Sequence, residues 1–335
     1  MKTKHVVVGA LIIATAVVEF TVLRKVDIRA DLPAGVPQAE AVVSPTGPPP
    51  AYDVTALRAA TKDYLGVALK GGVGDLSQFK TFTGRIDKQP NLITIYESFD
   101  DGFAAAQVRL AHNAGVMSVI RWEPFDVPLK DIAAGKHDAY ITEFARAVRR
   151  LNLPIVLTFA HEMNGDWYSW GPKKNTAADF VAAWRHTHDI FRQQDATNVI
   201  WTWTPNVIGP VPHVKLKPLY PGDEYVDWLG VDGYYTLKGP KTFETLFGPT
   251  IRQIRTFSTK PLLIVETGAE PGSGRPNQIK DLLSTVATRP DIIGVVYFNI
   301  NGSGKWNIDA DRSALESFRK QAATATFGFD IRKGS

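Results

Sequence analysis

Eight short apolar runs recur along the chain, spaced widely enough to hold a helix between neighbours. They are Tyr64–Leu69, Leu92–Tyr96, Val116–Ile120, Ile155–Phe159, Val199–Trp203, Trp228–Val231, Leu262–Val265 and Ile292–Phe298. Runs this short, bounded by turn residues, read as strands covered on both faces. The stretches between them change period. Ile141, Phe144, Ala145, Val148 and Leu151 fall at helical spacing, as do Phe180, Trp184 and Phe191, and also Ile279, Leu282, Leu283 and Val286. Thr176, three residues before Asp179, marks a capping box at the start of the helix after the fourth run.

Eight buried strands alternating with helices predict an α/β chain folded as a (β/α)8 TIM barrel over residues 51–330. That fold needs about 250 residues. A doubly wound open sheet is the alternative. It would want a phosphate-binding glycine turn after the first strand, whereas Gly71-Gly72-Val73-Gly74 leads into Asp75-Leu76.

The first fifty residues follow neither period. Lys2 and Lys4 precede an apolar stretch from Val6 to Val18, continued after Glu19 by Phe20 to Leu23 and then Arg24-Lys25. Residues 1–25 therefore read as a secretory signal or a membrane anchor. Ala14-Thr15-Ala16 resembles a cleavage site, while an anchor would be short and burdened by Glu19. Either reading puts the rest of the chain outside the cytoplasm, secreted or membrane-anchored. Residues 26–50 read as a linker, turning rich in Pro, Ala, Gly, Ser and Val from Leu32 and ending in Gly47-Pro48-Pro49-Pro50.

Composition narrows the function. Of the 335 residues, 44% are hydrophobic and 21% charged, which suits a globular domain with a sizeable core. The net charge of +4 is scattered without a basic block, so no nucleic-acid partner is implied. With no cysteine there is neither a disulfide nor thiolate chemistry. His186 and His188, two apart on a helix, point in different directions, and no metal or cofactor is expected. Gly304-Lys305 is followed by Trp306 where a phosphate-binding loop needs Ser or Thr. A monomer is expected.

The chemistry gathers at the strand tips, because a barrel of this kind builds its site at the C-terminal ends of its strands. The fourth run ends on His161-Glu162, followed by a loop carrying Gly165, Trp167 and Trp170. The seventh ends on Glu266. A carboxyl half out of water can hold a proton near neutrality, and aromatic faces beside it offer platforms for a sugar ring. Two such glutamates are what glycosidic cleavage requires, one to protonate the leaving oxygen and one to meet the oxocarbenium-like carbon. Glu123, ending strand three, is either a third acid or a salt-bridged support. His112 reads as structural.

His161-Glu162-Met163-Asn164-Gly165-Asp166-Trp167, Trp170-Gly171, Trp203-Thr204-Pro205-Asn206 and the Glu266 strand end together resemble glycoside hydrolase family 26. The resemblance spans essentially the whole barrel. It implies a retaining (β/α)8 glycosidase acting on a polysaccharide or oligosaccharide, with Glu162 as acid/base and Glu266 as nucleophile. It also implies that His161 and Tyr234 position the sugar and the nucleophile, with Trp167 and Trp306 as platforms. Tyr235 competes with Tyr234 for that role. Trp122, Asn206 and Trp170 complete the expected substrate contacts. A retaining pair should stand about 5–5.5 Å apart, with the shared proton on Glu162 and a Tyr234 hydroxyl keeping Glu266 ionised. Mannan-cleaving members carry a histidine near the end of strand three. Arg121-Trp122-Glu123-Pro124 stands there instead, more like members that cut β-1,3-1,4-glucans. The expected activity is thus a mixed-linkage endo-β-glucanase, with an endo-β-1,4-mannanase as the alternative. A non-catalytic carbohydrate-binding barrel would want the tryptophans but not both glutamates, and an esterase or amidase would want a G-x-S-x-G turn, which is missing.

The Pro-rich linker cannot bury apolar surface. A protein beginning at Ala51 should therefore be as soluble and active as the full chain. Insoluble or inactive truncated protein beside an active full-length form refutes this.

Overall fold

The computed structural model describes residues 49–302 and 304–333. The expected signal or anchor and nearly all of the linker lie outside the described residues. Strands β1 (Tyr64–Ala68), β2 (Leu92–Ser98), β3 (Met117–Glu123), β4 (Ile155–Phe159), β5 (Val199–Trp203), β6 (Trp228–Tyr235), β7 (Leu262–Ala269) and β8 (Ile292–Phe298) pair in chain order. All pairs are parallel, and β8 closes onto β1. The expected (β/α)8 barrel is what forms. Several strands outlast their apolar runs because the polar tips stay in the ladder, as where Tyr96, Glu97 and Ser98 pair with Arg121, Trp122 and Glu123.

The helices are α1 (Thr55–Arg58), α2 (Ser77–Ile86), α3 (Ala105–Asn113), α4 (Leu129–Ala133) and α5 (Asp138–Leu151), then α6 (Ala177–Gln193), α7 (Phe243–Leu246), α8 (Gly248–Arg255), α9 (Arg275–Val286) and α10 (Arg312–Ala322). Helix α6 opens on the capping box of Thr176 and Asp179, which satisfies two backbone N–H groups that have no partner within the helix. One outer position lacks a helix. Between β5 and β6 the chain makes only a single 3-10 turn, Lys217–Leu219. The outer side there is filled by rings, with Trp203 packed against Tyr220 and Phe257 and its indole N–H given to the Leu219 carbonyl.

The period of two sorts every strand between two cores. Tyr64, Leu92, Met117, Val119, Val156, Ile200, Trp228, Leu263, Val265 and Val296 form one apolar cluster inside the barrel. Ile93, Ile95, Ile120, Leu157, Phe159, Leu229, Val231 and Ile264 pack outward against the helices. The folded body begins slightly before Ala51, since the carbonyls of Pro49 and Pro50 accept from Arg149 and Asn152.

This alternation corrects the expectation for Trp122. Met117 and Val119 point inward, so Arg121 does too, and Trp122 points out. Its indole is fully buried, stacked on Phe144 with Phe99, Phe159 and Phe191 around it, and its N–H reaches the Tyr140 hydroxyl. It is a packing residue and cannot touch a sugar. Trp122→Ala should cost about 3–5 kcal/mol of stability in urea unfolding while leaving the KM of the folded fraction unchanged. A KM change without loss of stability would return Trp122 to the site.

Candidate active site

Two local departures from regular strand geometry aim the two glutamates. After β4, Ala160 and Glu162 adopt left-handed φ of 47° and 53°. Such backbone costs about 1–3 kcal/mol per non-glycine residue and persists only where its surroundings hold it. Here the Ala160 N–H is held by the Trp122 carbonyl at 3.0 Å and the Glu162 N–H by the Thr204 carbonyl at 2.7 Å. Glu162 is thereby turned over the barrel mouth. On β7, the ladder with β6 jumps from Val231–Ile264 to Asp232–Glu266, leaving Val265 without a partner. This bulge reverses the alternation, so Glu266 points inward beside Asp232 and not outward after an inward Val265.

Glu266 sits among donors. The Tyr234 hydroxyl donates to its Oε1, the Tyr96 hydroxyl donates to its Oε2 at 2.5 Å, and the Arg121 guanidinium lies 3.7 Å from Oε2. Arg121 is fully buried and makes a two-pronged pair with the fully buried Asp232 across the barrel interior. Tyr235, one residue on, points outward, is buried against Phe247 and does not reach the glutamate.

Glu162 is held differently. Its Oε1 accepts from the Asn206 amide at 2.5 Å and its Oε2 from the Trp167 indole at 2.6 Å. Asn206 is itself gripped at both backbone ends, its N–H by Asn164 Oδ1 and its carbonyl by Asn164 Nδ2, each at 2.8 Å. Burial, reinforced by the Glu266 charge, pushes Glu162 up to about 7 against these donors. Glu123 is also pushed up to about 7, chiefly by burial. It is not the salt-bridged support the sequence suggested. Its nearest basic neighbour is His161 Nε2 at 3.8 Å, and burial together with Arg121 holds that imidazole well below its usual pKa and hence neutral. His161 otherwise faces the Tyr168 hydroxyl at 3.2 Å.

The aromatic residues divide by exposure. Trp167 is 45% exposed, and its ring lies across Gly165, where any Cβ would collide with it. Tyr96 and Phe125, 37% and 40% exposed, open onto the same end of the barrel. Trp170 corrects its expectation: it is buried, stacked on Tyr168 at 4.3 Å, and donates to the His161 carbonyl at 2.6 Å. It shapes the β4 loop and offers no free face. Trp306 is also less open than a polar loop implied, at 8% exposed, packed 4.4 Å from Tyr234. The buried Arg275 fixes its loop by donating to the carbonyls of Trp306 and Asn307.

One carboxyl pushed up to about 7 and another ringed by three donors, at facing strand tips of a single mouth, can perform general acid and nucleophilic chemistry on one bond. Among the described residues no group of three or more His, Cys, Asp or Glu is disposed to hold a metal ion. His186 pairs with Asp138, and His188 packs against Trp201 and Tyr225.

The profile of glycosyl hydrolase family 26 matches residues 132–251, which include the β4 loop, Asn206 and Tyr234. Over those residues the chain is similar to glycoside hydrolase family 26. It is 33% identical over 221 residues to Endoglucanase H of Acetivibrio thermocellus, a match covering 62% of this chain and 24% of that protein. It is 31% identical over 83 residues to a mannan endo-1,4-beta-mannosidase of Bifidobacterium adolescentis, covering 24% of this chain and 8% of the other. The chain thus spans less than a quarter of the length of these relatives. The fold is shared with the catalytic domain of a Bacillus sp. JAMB-750 GH26 endo-beta-1,4-mannanase, with a TM-score of 0.65 and 18% identity. That likeness covers 84% of this chain and 91% of the other.

Four residues of this site escaped the reading of the sequence. Tyr96 was counted among the apolar residues of its run, and Asn164 was seen only as part of a motif. Arg121 and Asp232 stand 111 positions apart and meet only through barrel closure. An arginine in step with the inward Val119 is a signal in itself, since a charge inside a barrel must find a partner. Replacing Arg121 with Met should strand Asp232 and cost about 3–5 kcal/mol. The double variant Arg121→Met/Asp232→Leu should regain most of that stability without regaining activity. Urea unfolding and turnover, measured on the same preparations, separate the two effects, and recovery of both together would show the pair to be structural only.

Proposed function

We propose that this chain hydrolyses β-linked glucan internally, most readily the mixed β-1,3-1,4 polymer, by a double displacement that retains anomeric configuration. The observation that carries this reading is the contrast between the two glutamates, one pushed up to about 7 and the other ringed by three donors. Glu162 gives its proton to the leaving oxygen while Glu266 attacks the anomeric carbon. Glu162, now a carboxylate, then takes a proton from the water that releases the sugar. Tyr234 and Tyr96 hold Glu266 in line, and Trp167 and Asn206 orient Glu162. The match to a relative named an endoglucanase, longer than the match to one named a mannosidase, supports glucan over mannan. So does Arg121-Trp122-Glu123 at the end of β3, where a histidine would favour mannan. Cleavage of β-1,4-mannan is the second reading, favoured by the mannosidase match itself. The basic and then apolar start of the sequence supports work outside the cytoplasm.

The acid must carry its proton, so kcat/KM on a polysaccharide should fall about tenfold per unit as the pH rises past about 7. Glu266→Ala should abolish turnover of every substrate. Glu162→Ala should lose about 10²–10⁴ on polysaccharide yet spare the first step on activated aryl glycosides, whose leaving group needs no proton. Digestion of mixed-linkage glucan, cellulose, mannan and xylan, with NMR of the first-formed anomer, tests the whole reading. Inverted product refutes the mechanism, and equal or better turnover of mannan refutes the substrate.

A further inference from the structure

Beside the glutamates opens a pocket of about 550 Å³, within the size range of small-molecule sites. Its walls come from the helix-less β5–β6 connection and from the β6 tip with α7 and α8, including Val207, Ile208, Pro210, Leu246 and Pro249. It is continuous with the catalytic residues, because Trp167, Asn206 and Tyr234 belong to its lining. No charged side chain lines it. Its polar side chains are mostly committed: the Asn206 amide goes to Glu162, and the Thr245 hydroxyl to Thr242. Tyr234 gives its hydroxyl to Glu266, which leaves Thr236.

A pyranose presents hydroxyls all round its ring, and each one buried without a partner costs about 1–3 kcal/mol. A wall of valine, isoleucine, leucine and prolines cannot supply those partners. Trp167 and Asn206, the two donors to Glu162, face the side where the proton is delivered, which is the leaving-group side. We infer that this pocket receives an apolar group, aromatic or alkyl, carried on the leaving side of the scissile bond. The inference rests on the glycosidase reading above for which side is the leaving one. The substrate class then extends beyond the plain glucan to glycosides with a hydrophobic aglycone and to glycans whose leaving-side sugar bears an aryl or acyl substituent. The free hydrophobic alcohol would occupy the pocket as product.

Two β-glycosides test this, built on whichever glycone the polysaccharide panel identifies, one with phenol and one with 4-hexylphenol as leaving group. The two phenols are of nearly equal acidity, so the chemical step does not distinguish them. The hexylphenyl glycoside should show at least tenfold higher kcat/KM. That preference should vanish in Ile208→Asp and in Pro249→Asp. Pro249 is exposed in the first turn of α8, where an aspartate suits the helix dipole, so that variant should fold normally. Equal kcat/KM for the two glycosides in active wild-type protein overturns the inference. Inactivity on both refutes the glycosidase reading alone. Calorimetric titration with 4-hexylphenol then decides the pocket: saturable binding weakened at least tenfold by Pro249→Asp upholds it, and no binding overturns it.

Discussion

The buried pair of Arg121 and Asp232 is the interaction on which the rest of the site depends. Inside the barrel neither charge has water, so each is tolerable only because the other is there. The pair ties β3 to β6 across the interior and fixes a positive charge beneath Glu266. The nucleophile candidate therefore feels a cation that cannot move away, supplied by the same contact that joins opposite walls of the barrel. A hydrophobic pair of similar volume could close the barrel as well, but it would leave Glu266 with phenol hydroxyls alone.

From that fixed charge the electrostatics of the mouth spread outward in order. The charge of Glu266 raises the cost of ionising Glu162 and contributes to raising Glu123. His161, buried beside the same arginine, is kept neutral. Position alone thus moves the carboxyls up and the imidazole down. Because Glu123 and Glu162 are both pushed to about 7 a short distance apart, the pH behaviour of the mouth belongs to the group of carboxyls and not to any one of them.

Much of this was legible in the sequence because burial on both faces writes a plain signal. Each of the eight apolar runs became a strand, and the polar residues following the fourth and seventh became the facing glutamates. What failed was orientation within a strand. Trp122 read as a sugar contact because it lies at a tip, although Val119 two residues before Arg121 already assigned arginine to the inside and tryptophan to the outside. Counting alone would have misled at β7. Leu263 and Val265 point inward, so strict alternation sends Glu266 outward, and only the bulge at Val265 reverses it. A bulge leaves little trace in a single sequence. Nor does local pattern reveal contacts such as Tyr96 with Glu266, made by residues 170 positions apart.

The missing helix between β5 and β6 has a consequence for how the protein comes apart. Those strands pair at only two positions, Thr202–Trp228 and Trp203–Leu229, extended by one bridge from Asn206 to Asp232, whereas β6 and β7 pair at seven. The β1–β2 junction also pairs at two positions, but over the β5–β6 junction no helix is clasped, which makes it a seam where local opening needs little disruption. Glu266 stands on the firm side of the seam, while Asn206, which steadies Glu162, stands on its loose lip. Partial opening would therefore separate Glu162 from its support while the donors around Glu266 stayed assembled. Such a molecule would lose the arrangement of its mouth well before it lost its shape.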